Sequence, residues 1–468
     1  PVYGNRLTLA LVRQKLDDRG PGIKGVKLIE IRDGESQTAG CFEVEFIHTN
    51  HSIADANAFA IHTPAGIVFH SGDFKIDYTP INGAPIDLQR IAEIGAEGVL
   101  LMICESTNVE RAGYTSSESK VGETLINLFD DATGRIFVTT FSSNVFRIQQ
   151  IITAAERYNR KVVLIGRSML NYFAAADSLG YLNYQPDTLI EIRDIDNYQA
   201  NEILFITTGS QGEPMSALTR MAFAEHRQVE ILPGDTVILS SSAIPGNEKP
   251  IYRVINELYK RGAHVIYESL SEIHVSGHAY REELKIMHSL LRPRYFIPNH
   301  GEYRHQFIHA ELANSLGMRR DHIFILDNGD VFEYNAARDS AEISGFVQTG
   351  GVLIDGSGIG DIDAVVLRDR LLLADDGVVV VSVAINRSTG ELVGEPNIQA
   401  RGFIYEIENQ RITSEMAKKV EDMVRKAGNS GKAVREALDS DAARNQLQKM
   451  LYGKTHRRPM ILISILEV

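Results

Sequence analysis

Apolar and polar positions change rhythm along the 468 residues. Up to about residue 118, short apolar runs alternate with turns: KLIEI, CFEVEFIHT, AFAIHTPAGIVFHSGD and GVLLMICEST. The segment AFAIHTPAGIVFHSG predicts a hairpin, with TPAG as its turn and apolar positions alternating on each arm. From about 119, strand-like and helix-like segments take turns. GRIFVTTF is an apolar strand, SSN follows, and Val145, Ile148, Ile151, Ile152 and Ala155 then fall at helical spacing. RKVVLIG, NEILFITTG, DTVILSSS and AHVIYES read as further strands, RSMLNYFAAADSLG and PIYRVINELYKRG as helices. That alternation predicts a parallel, doubly wound unit. EELKIMHSLLRP reads as a helix and RYFIPNHG as the strand after it. From about 360 a small α/β domain is expected, with strands AVVLRD, GVVVVSVAI and PMILISILEV and helices near 413 to 426 and 432 to 451. The glycine-rich stretch IDGSGIGDID joins it to what precedes. PVYGNRLTLALVRQ, at the start, predicts a helix with no strand before it.

Composition narrows the class. The length leaves room for several domains, and 44% hydrophobic with 23% charged residues is ordinary for a soluble globular chain. Two cysteines, Cys41 and Cys104, are too few for a disulfide framework or a cysteine zinc site. Their apolar surroundings predict buried thiols in a reducing cytoplasm. No uninterrupted apolar segment is long enough to span a bilayer and no signal peptide opens the chain, so a soluble protein without membrane contact is expected. The net charge of −13 weighs against a simple nucleic-acid binder. Bound divalent cations would supply local positive charge whatever the average, so the question stays open.

Most of the fourteen histidines call for no special role. His226, His264, His288, His309, His322 and His456 lie in helices or turns without acidic partners in sequence and read as structural. Others stand where strands end and loops begin, the usual place for sites in layered α/β folds. His51 in NHSIADA follows the strand FEVEFIHT, and Asp73 in HSGDFKID follows IVFHSG. One imidazole and one carboxylate at two strand ends suit Zn²⁺ or Mn²⁺, with plain surface polarity as the alternative. His300 in NHGEYRH adds a third such position. His48, inside the strand, reads as a sheet histidine with at most a supporting role.

Phosphate chemistry has its own signal. In FSSN, Ser142, Ser143 and Asn144 lie between a strand end and a helix start, where hydroxyls, an amide and free N–H groups suit an anion. The alternative is that Ser143 or Asn144 simply caps the helix. TTGSQGEP and LSSSAIPGN end strands of the same layer. HVSGH, comprising His274, Val275, Ser276, Gly277 and His278, adds a hydroxyl, a glycine and two imidazoles. Together such turns would line a cleft suited to a polyanion backbone.

Taken in order, NHSIAD, SGDFKID, CESTN, FSSN, HVSGH and NHGEYRH resemble the signature of the metallo-β-lactamase superfamily in its nucleic-acid-cutting β-CASP branch. Within it the chain resembles the bacterial ribonuclease J family. The likeness runs from Pro1 to Val468 and includes TGSQGEP, DGSGIGDI, LRDR and RRPMI. It implies an αββα sandwich with an inserted doubly wound β-CASP domain and a small C-terminal α/β domain. The expected boundaries are 1–118 for the first lactamase part, 119–278 for the β-CASP domain, 279–359 for the lactamase return and linker, and 360–468 for the C-terminal domain. By resemblance, His51 is a metal histidine and Asp73 the carboxylate bridging two metals. Glu105 takes the first β-CASP acidic position, where it orients ligands, and His278 the second motif. His300 takes the third, which supplies a further metal histidine. His278 would protonate the leaving 3′ oxygen or stabilise the phosphorane. Ser142, Ser143 and Asn144, with His274 to His278, match the pocket that holds an RNA phosphate.

The same resemblance implies two divalent ions, zinc first with manganese or magnesium as alternatives, and RNA as substrate. The activity implied is internal cutting plus 5′-to-3′ exonuclease action from 5′-monophosphate ends, in RNA maturation and decay, including rRNA processing. A cytoplasmic homodimer or homotetramer is expected, with a paralogous ribonuclease J subunit or other RNA-decay proteins as partners. A non-catalytic RNA-binding subunit of such an assembly is the alternative. A lactamase-fold hydrolase for small molecules is disfavoured by the inserted parallel domain. One departure stands out: the superfamily's His-x-His-x-Asp-His motif appears nowhere in the sequence. The natural protein is therefore expected to be longer at its N-terminus. The residues as given are expected to hold an incomplete sandwich and, of the metal site, only His51, Asp73 and His300.

Overall fold

The hairpin forms where the alternation predicts it: Asn57–Thr63 and Gly66–His70 pair antiparallel around Pro64 and Ala65. In this computed structural model, which describes residues 1–18, 25–244, 246–268, 270–351, 354–355, 358–359, 364–403, 406–428 and 430–468, that hairpin lies inside a six-stranded sheet. The order in space is Tyr295–Asn299, Val99–Glu105, Gly66–His70, Asn57–Thr63, Phe42–His48, Ser36–Ala39. Tyr295–Asn299, Val99–Glu105 and Gly66–His70 run parallel to one another. Phe42–His48, reached across an antiparallel strand, points the same way. Carboxyl ends of these strands therefore lie along a single edge, and each ends in or is soon followed by a candidate residue, Glu105 closing its strand and His51, Asp73 and His300 coming after theirs.

Both faces of this sheet are covered. Helices Leu88–Glu97, Arg281–Leu291 and Tyr303–Ser315 bring Ile91, Ile94, Met287, Leu291 and Ala313 against Phe69, Met102 and Phe296, all fully buried. Each such aliphatic side chain contributes roughly 1.5–3 kcal/mol by leaving water. On the opposite face Leu101, Tyr295 and Ile297 meet Phe324, Phe332 and Tyr334.

The second sheet has five strands in the order His264–Ile266, Thr236–Leu239, Ile136–Thr139, Ile203–Thr207, Lys161–Ile165, all parallel. Ile136–Thr139 and Ile203–Thr207 are buried at every residue, the continuous apolar run that a sheet covered on both faces requires. Val121, Leu125, Ile148 and Ile152 fill one side, and Leu218, Met221, Ile255 and Leu258 the other. The fold class is thus the expected one: α/β, with a doubly wound parallel domain inserted into a metallo-β-lactamase-type framework.

The described residues divide into two compact units, Pro1–Val347 and Gln348–Val468. In the second, a sheet ordered Asn397–Arg401, Val378–Ile385, Met460–Glu467 packs with helices Glu406–Ala427, Gly431–Leu438 and Asp441–Thr455.

Some local readings need correction. A strand, Val2–Gly4, does precede the first helix, Arg6–Asp18, and pairs parallel with Leu28–Glu30. Three residues are too few to show a period of two. AVVLRD is not a strand but the opening of the helix Ala364–Asp375. Its two valines suggest a strand, yet the run continues into LRDRLLLAD, whose residues are mostly good helix formers, and length decides. The single helix expected over 432 to 451 is two, since Ser440 caps a new helix by accepting from Ala443 N. Cys41 is exposed rather than buried, because it occupies the turn between Ser36–Ala39 and Phe42–His48, while Cys104 is buried. The glycine-rich joining stretch lies largely outside the described residues.

Candidate metal centre and phosphate pocket

The site is built by strand register. Asn299 pairs with Glu105, so His300 projects one residue beyond the same edge. His70 pairs with Ile103, which brings Asp73 round on the next turn. Gly72 is needed there: it sits at φ 59°, and a Cβ would come within 2.6 Å of Asn57 O. Asp73, Glu105, His278 and His300 each offer an atom within 4.8 Å of the others. His51 stands just beside this group, its Nε2 4.0 Å from Asp73 Oδ2 and its ring 4.9 Å from that of His278. Residues separated by more than two hundred positions in sequence are thus in one constellation.

Each side chain is oriented by a second contact. His51 Nδ1 donates to Gly277 O at 2.7 Å, which turns the Nε2 lone pair toward Asp73. A ring fixed through one nitrogen with the other free is the usual arrangement of a metal-binding histidine. Burial and the neighbouring charge of His278 lower the His51 pKa, favouring the neutral form a metal requires. Burial pushes the Asp73 carboxyl up, but the contact with His300 and the charges of His300, His278 and His51 outweigh it, holding Asp73 ionised down to about 2. His300 Nδ1 lies 3.0 Å from Asp73 Oδ1, and this contact raises its own pKa. His300 is also held at φ 62°, an uncommon conformation that a non-glycine residue keeps only where its surroundings impose it. Two imidazoles and a carboxylate so placed fit a divalent ion of borderline character.

Glu105 has a different part. Buried to 2% exposure, it accepts from Phe74 N and Ala279 N through Oε1, and its Oε2 lies 2.9 Å from His278 Nδ1. Its oxygens are engaged with the protein, so it braces the site. Although burial lowers the His278 pKa, the Glu105 hydrogen bond and charge prevail and raise it. That bond engages Nδ1 of His278 and leaves Nε2 for another partner. His48 spends its nitrogens elsewhere, on Ala84 O at 2.9 Å and Asp33 at 2.8 Å.

Two residues that the sequence did not single out hold the loops in place. Glu283, fully buried, makes no ion pair among the described residues. Its Oε1 accepts from Ile76 N at 2.7 Å, and its Oε2 from Thr115 N at 2.9 Å, Thr115 Oγ1 at 2.8 Å and Tyr280 N at 2.7 Å. One carboxylate therefore ties the loop after Asp73, the segment after Glu105 and the residue two past His278. Arg147, also fully buried, donates from Nε to Glu118 at 2.6 Å, and from Nη1 to Ser240 Oγ at 2.6 Å and Ile273 O at 3.0 Å. It anchors the HVSGH loop to the end of the parallel sheet.

At the phosphate turns the structure separates the candidates. Asn144 caps its helix, its Oδ1 accepting from Arg147 N at 3.0 Å. Ser142 Oγ lies 3.1 Å from Ser168 Oγ, a hydroxyl from the next turn. Ser276 Oγ accepts from Asn108 Nδ2 at 2.8 Å and from His278 N at 3.1 Å. Val275 is buried in the core, so its side chain is not available to a ligand. His274 is held neutral down to about 3 by burial and then by the charges of Arg147, Arg111 and Lys75, so it offers hydrogen bonds rather than charge. His51 and Asn144 line one cavity of about 380 Å³, together with Lys75 and Glu118.

The family described as "Ribonuclease J, beta-CASP domain" matches residues 133–258, "Zn-dependent metallo-hydrolase RNA specificity domain" matches 262–325, and "Ribonuclease J C-terminal domain" matches 365–468. The chain is 41% identical over 466 residues to Ribonuclease J 1 of Streptococcus pyogenes, covering 100% of this chain and 82% of that protein. It is 39% identical over 471 residues to Ribonuclease J2 of Bacillus subtilis, covering 100% and 83%. Against Ribonuclease J of Thermus thermophilus it is 42% identical over 478 residues, covering 100% and 80%.

Proposed function

The chain belongs to the ribonuclease J family, and from that premise we propose that it hydrolyses RNA phosphodiesters with divalent metal, as a 5′-to-3′ exonuclease on 5′-monophosphate ends and as an endonuclease, in RNA maturation and decay. The observation that carries this reading is the convergence of neutral His51, ionised Asp73 and His300 beside the Glu105–His278 pair. His51, Asp73 and His300 are the ligands these residues contribute. We propose two ions, zinc in preference to manganese or magnesium, since imidazole donors suit zinc. When bound, such ions supply a hydroxide near neutral pH and offset phosphate charge.

The chain's own residues do the rest. Asp73 remains an anion throughout the physiological range. His278, oriented through Nδ1 by Glu105, holds a proton on Nε2 and delivers it to the leaving 3′ oxygen. Ser142, Ser143 and Asn144, with the backbone of His274 to His278, receive the phosphate of the 5′-terminal nucleotide. The protein works in the cytoplasm as a homodimer or homotetramer, alongside a paralogous subunit or other RNA-decay proteins. Residues 1–118 and 279–359 form the lactamase part, 119–278 the β-CASP domain and 360–468 the C-terminal domain. None of the helices among the described residues is long and apolar enough to cross a membrane. The test is His278→Ala in the full-length protein, assayed on a 5′-monophosphorylated RNA. Turnover should fall by about 10²–10⁴, the range for a positioned acid. Undiminished turnover would remove His278 from the reaction.

A further inference from the structure

Beyond the Ser142 turn, along the carboxyl edge of the parallel sheet, lies a second groove of about 1040 Å³. It begins at Ser168, whose Oγ is 3.1 Å from Ser142 Oγ, so it continues directly from the phosphate pocket. From there it runs over Gly166–Leu170 and the loop Thr208–Ala217, out to Arg220. His51 and Asn144 share the inner cavity, Ser142 lies in the turn just before Asn144, and this groove starts at Ser168 beside it.

The lining combines unpaired cations with exposed apolar surface. Arg167 is exposed, Arg220 is half-buried, and neither pairs with a carboxylate among the described residues. Of the acids in the groove, Glu191 pairs with Arg193 at 2.8 Å, and the exposed Glu213 accepts from Gln211 N at 3.2 Å. Met215 is 84% exposed and Leu170 50%, unusual for large apolar side chains facing water. In a chain of net charge −13, two guanidiniums without an acidic partner among the described residues, beside open apolar faces, match the needs of a single RNA strand, whose phosphates take the cations and whose bases take the apolar surface.

We propose that this groove binds the RNA strand upstream of the nucleotide seated at Ser142–Asn144. Arg167 lines this groove and not the inner cavity, so an RNA whose 5′ phosphate stops at Ser142–Asn144 ends before the groove, whereas an RNA cut internally continues past Ser168 and lies along it. This assignment rests on the nuclease reading and adds to it a subsite used in the endonuclease mode only.

The test is R167A/R220A in the full-length protein, with affinity measured by fluorescence anisotropy in chelator, so that nothing is cut. One probe is a single-stranded RNA whose 5′ end is closed by a hairpin, the other a short 5′-monophosphorylated RNA. For the closed RNA the variant should bind more weakly, and the slope of log affinity against log salt should shrink by about 1.4, at about 0.7 for each of two lost phosphate contacts on a single strand. The short RNA should bind with its wild-type affinity and slope. An unchanged slope for the closed RNA, or an equal loss on both probes, overturns the groove. Wild-type protein that binds both RNAs and cuts neither with divalent metal added would instead refute the nuclease reading, because the groove is read by binding alone.

Discussion

Replacing Glu283 by glutamine changes one atom and removes one charge, yet it disturbs the tie among three site loops. A glutamine oxygen in the place of Oε2 keeps Thr115 N, Thr115 Oγ1 and Tyr280 N as donors, and turns an NH₂ group onto Ile76 N. The orphaned Ile76 N–H, fully enclosed, costs about 1–3 kcal/mol. The remaining bonds lose their charge assistance, roughly 1 kcal/mol each, because bonds to an ionised group are about twice as strong as neutral ones. A neutral amide is easier to bury than a carboxylate, which offsets part of the loss. The net destabilisation is about 3 kcal/mol, a large share of the roughly 5–15 kcal/mol that folded proteins hold. Ile76 is three residues from Asp73 and Tyr280 two from His278, so turnover should fall as well. Displacements near 1 Å cost on the order of 10²-fold. Denaturant unfolding should show a lower midpoint with an unchanged m-value, and kinetics should show kcat falling more than KM rises. A midpoint and a kcat both equal to those of wild type would refute the idea that this carboxylate positions the site.

Other outcomes follow from the same geometry. In Gly277→Ala the new Cβ would lie 2.6 Å from His51 Nδ1 and 2.9 Å from Ser52 N. His51 must turn, and zinc affinity, followed by competition with a chelator, should drop about 10–100-fold, as for other lost orienting contacts. Glu45 is chelated by Arg90 at 2.7 and 3.0 Å, a bond that lowers its pKa against the opposing effect of burial. Its folded pKa is below the ordinary 4.5, so its stabilisation is fully present above pH 4.5 and is lost as pH falls through the folded value. Glu45→Gln should therefore flatten the acid limb of thermal stability measured on either side of that pH, while a limb as steep as that of wild type would assign the effect to other groups.

What could be read in the sequence was what local rhythm records. Apolar strands followed at once by a polar loop residue marked His51, Asp73 and His300, and the structure puts all three at one sheet edge. FSSN announced a strand end and a cap, and Asn144 is that cap. Glu283 and Arg147 could not be found this way. In sequence Glu283 is an ordinary acid in the first turn of a helix, where negative charge is favoured anyway. Its partners Ile76 and Thr115 are 207 and 168 residues away. Arg147 lies between positions of an apolar helix face, and only the closure of the HVSGH loop over the sheet end, 126 residues on, makes it an interior residue. Polar groups acquire such roles from tertiary partners, and hydrophobic periodicity carries no information about them. Cys41 shows the opposite error: apolar neighbours in a short turn do not bury a side chain.

The most direct measurement is the rate of hydrolysis of a 5′-monophosphorylated RNA by the full-length protein, with added zinc or manganese, after chelation, and in Asp73→Asn. Cutting that requires the metal, stops in the chelator and falls by several orders of magnitude in Asp73→Asn is the predicted result. Cutting that continues unchanged in the chelator, or in Asp73→Asn, would contradict the assignment of this cluster as the metal-dependent catalytic centre.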